Sequence, residues 1–210
     1  MSIEIKMHVE SYDVQPNGNI KMSSLLKMMQ KAAGDDVIII SHPRKTRGAS
    51  FPRDFIIKVN DTIVAVARSM WVLLDLEKRT ILRPSVLDEI GTLLVSDDDA
   101  FDLEDVRRNV DVNSLSRTDV CAVNYSQLDM NNHLNNTFYA DFIFNCTEKI
   151  LGCPLSNEGL YLQINYKNEA RLNDTIEIFT FNDTDTNSID FSANVGEKVC
   201  FSAYMSLGNN

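Results

Sequence analysis

Between Asn124 and Asn136 the chain reads N-Y-S-Q-L-D-M-N-N-H-L-N-N, which sets Asp129, Asn131 and His133 within five residues. An acid, an amide and an imidazole at this spacing could move a proton and donate a hydrogen bond to a carbonyl oxygen. The next residues, Thr137-Phe138-Tyr139-Ala140-Asp141-Phe142-Ile143, have a helical apolar rhythm, so the loop should run into a helix N-terminus. Unpaired N–H groups and the positive end of the helix dipole there would favour a developing oxyanion. The same residue types also build turns and caps. Asn135 or Asn136 as a plain N-cap, and His133 as a structural loop histidine, therefore stay open.

The elements that would hold this loop follow from apolar spacing. Val120 to Val123 has β character and precedes the loop. A helix is predicted from about Thr137 to Leu151, with Phe138, Phe142, Cys146 and Ile150 at four-residue steps and Ile143 alongside. Gly152 and Pro154 stop it. Leu160, Leu162, Ile164 and Tyr166 then alternate with polar positions. Thr175 to Phe181, Ser188 to Val195 and Lys198 to Ser206 are further strands.

The first part of the chain follows the same plan. Ile3 to Val9 alternates as a strand, Gln15 to Asn19 is a turn, and Ile20 to Ala33 reads as a helix ended by Gly34. Leu25, Leu26, Met28, Met29, Ala32 and Ala33 cover more than one stripe, so this helix should be enclosed. Val37 to Ile40, Phe55 to Val59 and Thr62 to Leu76 are strands, the last read as a central one. A helix wrapped in a curved antiparallel sheet thus occurs twice, which is an α+β tandem duplication. The expected organisation is a first half over residues 1–95, a linker over 96–118 and a second half over 119–210. The acidic run Asp97-Asp98-Asp99 in the linker reads as a solvated face.

Composition bounds the partners. The 210 residues are 44% hydrophobic and 24% charged, as in an ordinary globular protein. A formal charge of −10 argues against nucleic acid. No apolar run reaches the length of a membrane span, and Met1 to Lys6 lack a signal-peptide core, so a cytoplasmic protein is expected. Cys121, Cys146, Cys153 and Cys200 make no C-x-x-C pair, and His8 and His42 lie far from them. These read as reduced cysteines with no zinc pattern, and no cofactor is expected.

Leu128 to Asn136, L-D-M-N-N-H-L-N-N, resembles the D-x-N-x-H-x-N-N signature of acyl-acyl-carrier-protein (acyl-ACP) thioesterases, which are double hot-dog proteins. Asn165-Tyr166-Lys167-Asn168-Glu169-Ala170 resembles the family's Y-x-x-E-C segment. Ile63 to Asp75 resembles its A-x-A-x-S-x-W-v-x-x-D strand, and Asp36 to Phe55 the strand pair before it. The first-half counterpart of the loop, Tyr12 to Ile20, keeps Asp13 but has Asn19 near the place of His133, so that half looks catalytically silent. Two departures stand out. Ala170 replaces a frequent cysteine, which removes a thiol nucleophile. Only Gly34-Asp35-Asp36 separate the first helix from the Val37 strand, where family members carry a longer segment.

The resemblance implies a tandem double hot-dog with a shortened first half and a site built from Asp129, Asn131, His133 and Glu169. Glu169 would be general base or nucleophile, Asn131 and His133 would position and polarise, and Asp129 would orient the network. The implied reaction releases free fatty acid from acyl-acyl carrier protein in fatty acid biosynthesis. The alternatives are an acyl-CoA thioesterase, a hydratase-like hot-dog enzyme that the loop matches less well, and a non-catalytic acyl- or carrier-binding module. The partner would be an acyl carrier protein, docked on a local basic patch for which Arg44, Lys45 and Arg47 are candidates. A shortened sheet should leave an unpaired edge or apolar surface. Either a homodimer covers it, or the natural chain holds a stretch absent from this sequence.

Overall fold

Runs of β-branched and aromatic residues, cut by turn-forming Asn, Asp and Gly, build two separate antiparallel sheets. The computed structural model describes residues 13, 37–59, 61–75, 77–78, 80–83, 114–153, 155 and 159–208. The expected strand Ile3–Val9, the turn with Asn19, the helix Ile20–Ala33 and most of the linker lie outside the described residues. The chain divides into two units, one of residues 33–106 and one of residues 1–32 with 107–210.

In the first unit the strands run in sequence order: β1 (Val37–Pro43), β2 (Ser50–Val59), β3 (Thr62–Asp75) and β4 (Thr80–Leu82). β2 begins earlier than its apolar run suggested, because Pro52-Arg53-Asp54 conceals its first half. Asp54 is fully buried yet faces Arg68 directly across the β2–β3 ladder. Arg68 Nε donates to Oδ1 at 2.7 Å and Nη2 to Oδ2 at 3.0 Å, while Arg44 Nε lies 3.7 Å from Oδ2. A buried carboxylate persists only with such pairing. Arg44, expected as a docking cation, is therefore committed to Asp54. β3 lies between β2 and β4 in the sheet order, as a central strand does. β2 covers one edge, but among the described residues the other edge is paired only at Leu73–Asp75, by β4. Ile63, Val64, Val66, Met70, Trp71 and Val72 are exposed.

The second unit holds β5 (Ser116–Ala122), helix α1 (Thr137–Leu151), β6 (Tyr161–Tyr166), β7 (Thr175–Asp183), β8 (Ser188–Val195) and β9 (Lys198–Ser206). The sheet order is β5-β7-β8-β9-β6. β7, β8 and β9 are successive hairpins in its middle, so the helix between β5 and β6 carries the chain from one edge to the other. β5 starts at Ser116, inside the expected linker. Its polar Arg117 and Thr118 hide it from apolar patterning, and Thr118 Oγ1 meets Thr180 Oγ1 of β7 at 2.6 Å.

Tyr139, Phe142, Ile143 and Cys146 of α1 pack with Ile176 and Ile178 of β7, Ile189 and Phe191 of β8, and Phe201, Ala203 and Met205 of β9. Each such large side chain contributes about 1.5–3 kcal/mol by leaving water. The buried stripe is Tyr139, Phe142, Ile143, Cys146 and Thr147, rotated from the expected Phe138, Phe142, Cys146, Ile150. Strict four-residue steps drift about 40° each around a 3.6-residue helix, so Phe138 and Ile150 end half-buried. Thr147 satisfies its buried hydroxyl by donating to the Ile143 carbonyl at 2.8 Å. Gly152 ends the helix at φ +67°, where its N–H donates to the Glu148 carbonyl at 2.8 Å. Among the described residues, no helix is long and apolar enough to cross a membrane.

Candidate active site

The loop between β5 and α1 is shaped by Asp129. Its Oδ1 accepts the backbone N–H of Asn131 at 2.8 Å and of His133 at 3.2 Å, while its own N–H donates to the His133 carbonyl at 2.8 Å. Asn132 completes the turn at φ +61°, a left-handed conformation that asparagine tolerates. Asp129 thus orients the loop through its backbone. The capping question is resolved one residue before the helix-flanking position. The Asn135 side chain accepts both the N–H and the hydroxyl of Thr137, at 3.0 and 2.9 Å, whereas Asn136 makes no side-chain cap.

A second segment, residues 167–171 after β6, is tied to this loop. The Leu134 N–H donates to the Ala170 carbonyl at 2.8 Å, and His133 pairs with Arg171 in an isolated antiparallel bridge. The Lys167 and Asn168 N–H groups both donate to the Cys200 carbonyl, at 2.8 and 3.1 Å, and Asn168 Nδ2 donates to the Val199 carbonyl at 2.8 Å. From α1, the Tyr139 hydroxyl bonds the Ala170 backbone, and burial pushes that phenol well above its ordinary range. Ala170 is fully buried under it.

These ties create a cleft of about 280 Å³ lined by Asp129, His133, Asn136, Tyr139, Tyr166 and Glu169, with Leu134, Lys167 and Asn168. His133 Nε2 lies 3.7 Å from Glu169 Oε1, an approach somewhat longer than a hydrogen bond. Catalytic hydrogen bonds are often this loose before substrate binds. Arg171 Nη2 donates to the same Oε1 at 3.2 Å. Of the four expected site residues, Asp129, His133 and Glu169 line the cleft. Asn131 is exposed on the turn and is not among the lining residues.

The expected backbone donors near the helix start also need correction. The Thr137 N–H is taken by Asn135 Oδ1 and the Phe138 N–H by the Asn135 carbonyl. Asn136 lines the cleft, and among the described residues its N–H has no recorded acceptor. Tyr139, Tyr166, Lys167 and Arg171 were not singled out as site residues. Tyr139 stood in the helical run after the loop, and Lys167 and Arg171 flank Glu169, so proximity to the motifs was the available signal. A larger groove of about 720 Å³ lies between β5 and α1, but its Lys149 is paired with Asp119 at 2.5 Å, and it contains neither half of the motif pair.

Residues 112–199 match the family model of the acyl-ACP thioesterase C-terminal domain. The match includes β7 and β8, the whole of the Asp129–Asn136 loop and Glu169. No curated protein matches the chain in sequence. Among solved structures, an acyl-ACP thioesterase from Bacteroides thetaiotaomicron is similar, with TM-score 0.65 and 16% identity over 95% of each chain. The 12:0-ACP thioesterase from Umbellularia californica gives TM-score 0.59 and 15% identity, covering 97% of this chain and 92% of its own. An oleoyl thioesterase (putative) from Lactobacillus plantarum gives TM-score 0.51 at 15% identity, covering 97% and 95%. At these identities the structures establish the double hot-dog fold, and residues 112–199 are similar to the acyl-ACP thioesterase C-terminal domain.

Proposed function

We propose that this protein hydrolyses the thioester of an acyl-acyl carrier protein in the cleft at the start of α1, with Glu169 as general base. The observation that carries the reading is the approach of Glu169 to His133 at 3.7 Å, from two segments far apart in sequence, in a cleft that Asn136 also lines. Glu169 takes a proton from water, and the water oxygen attacks the thioester carbon. The Asn136 N–H holds the resulting oxyanion. The tetrahedral intermediate expels the thiolate, and His133, having taken up the proton from Glu169, passes it to sulfur so that both groups return to their starting forms. The products are a free fatty acid and the carrier thiol. Ala170 leaves no thiol beside Glu169, which supports water rather than cysteine as attacking group.

The test is release of free thiol from acyl carrier protein and from acyl-CoA, each over several chain lengths. Faster turnover of the carrier-bound substrate is expected. Turnover of acyl-CoA alone would overturn the carrier assignment, and no turnover of either would overturn the enzyme reading in favour of a binding module.

A further inference from the structure

The Glu169 carboxylate is 39% exposed and sits on an irregular segment, so nothing in regular secondary structure fixes its direction. The Arg171 side chain reaches it. Arg171 Nη2 donates to Oε1 at 3.2 Å, and this is the oxygen that approaches His133 Nε2. The backbone of Arg171 is itself well held. Its N–H donates to Asp174 Oδ2 at 2.8 Å, and its carbonyl accepts the Asp174 N–H at 3.0 Å across a turn with Asn173 at φ +68°. The isolated bridge to His133 ties this turn to the motif loop. The guanidinium therefore starts from a fixed point next to the imidazole. Arginine suits this task, since its planar fork is preorganised for a carboxylate.

We propose that Arg171 is a positioning residue for Glu169, holding its carboxylate toward His133 and in the ionised form a base requires. This rests on the reading of Glu169 as base. The charged and titratable groups around the carboxylate are Asp129 and His133 of the loop, Lys167 of the same segment, and Arg171 and Asp174 of the following turn. Tyr139 of α1 and Tyr166 of β6 complete the surround. Among the described residues Arg171 is a cation in direct contact with it, Nη2 donating to Oε1 at 3.2 Å. Removing a cation disfavours a neighbouring carboxylate's charged form, so Glu169 should then hold its proton to higher pH. The Arg171 side chain is 62% exposed, and solvent screening keeps the effect moderate.

The experiment uses the full chain with carboxyl-carbon NMR of Glu169, its signal assigned by loss in Glu169→Gln, alongside kcat and KM against pH on acyl carrier protein. In Arg171→Met the Glu169 midpoint should rise. The acid limb of the rate profile should rise with it, and kcat should fall about three- to tenfold at unchanged KM, as expected for lost orientation. Arg171→Lys restores the charge and should return the midpoint toward wild type. An unmoved midpoint in Arg171→Met, or a loss confined to KM, overturns the proposal. Full turnover by Glu169→Gln, a variant that leaves Arg171 in place, would instead overturn the reading of Glu169 as base.

Discussion

Asp129 offers the sharpest separation between a residue that shapes the site and one that reacts. Its Oδ1 accepts two loop N–H groups, and no bond from it to the His133 ring is present. Hydrogen bonds to a charged acceptor contribute about 1.5–3 kcal/mol each when well sheltered. Asp129 is half-buried, so about 2 kcal/mol for the pair is a reasonable discount. Asp129→Ala removes both acceptors, and the loop should then spend correspondingly less time in the productive geometry. The expected loss in kcat/KM is about thirtyfold. Asp129→Asn keeps an oxygen where Oδ1 stands and loses only the charge, about 1 kcal/mol, so its loss should stay below about tenfold. A residue that accepts the reaction's proton would behave in the opposite way. Its amide variant would be as inactive as alanine, down about a hundredfold or more. Thiol release from acyl carrier protein measures the rates, and thermal unfolding checks that both variants fold. An Asp129→Asn enzyme no better than Asp129→Ala would refute the backbone role and move Asp129 into the proton-transfer chain.

Glu169→Gln and His133→Ala should each keep the fold and lose about a hundredfold or more in kcat, measured by the same assay. Near-normal turnover would remove that residue from the mechanism. Ile143→Ala, at a fully buried core position, should cost about 2–5 kcal/mol by denaturant titration. A cost under 1 kcal/mol would mean that α1 does not pack as described. Burial raises the Cys146 thiol from about 9 to about 11. The unfolded chain then ionises it first as pH rises, so stability present below pH 9 should decline between 9 and 11. Cys146→Ala should decline less over that window, and equal declines would count against a thiol contribution. Arg44→Glu should destabilise the first unit by setting a second carboxylate against Asp54, and do so more than Lys45→Glu, which should raise KM for acyl carrier protein. Equal melting temperatures for the two variants would refute the difference.

The second unit was the more legible in sequence, for a physical reason. Its strands are half-buried and alternate, as Ile176, Ile178 and Thr180 do against Thr175, Glu177 and Phe179, and its helix carries one apolar face. Residues that line its cleft also stand in short motifs, so Asp129, His133 and Glu169 could be named as candidates before any fold was known. What spacing could not supply was direction. Whether Asn131 points into the cleft or out to solvent depends on which way Asp129 folds the turn, and the hydrogen bonds that decide this involve backbone atoms common to every residue.

In the first unit the limit is different, because apolar patterning reports affinity for a neighbour and not how much of the edge that neighbour covers. Thr62 to Asp75 is apolar enough to be a central strand, and it reads as one. Yet among the described residues its second edge is covered only at Leu73–Asp75. The converse holds at Asp54, which a sequence reading assigns to the surface. A direct cross-strand arginine, with a second one nearby, carries it into the interior. That pairing reduces what Arg44 can offer an acidic carrier. A basic cluster counted along the chain therefore overstates the charge available for docking, because the buried acid that consumes part of it comes from the next strand.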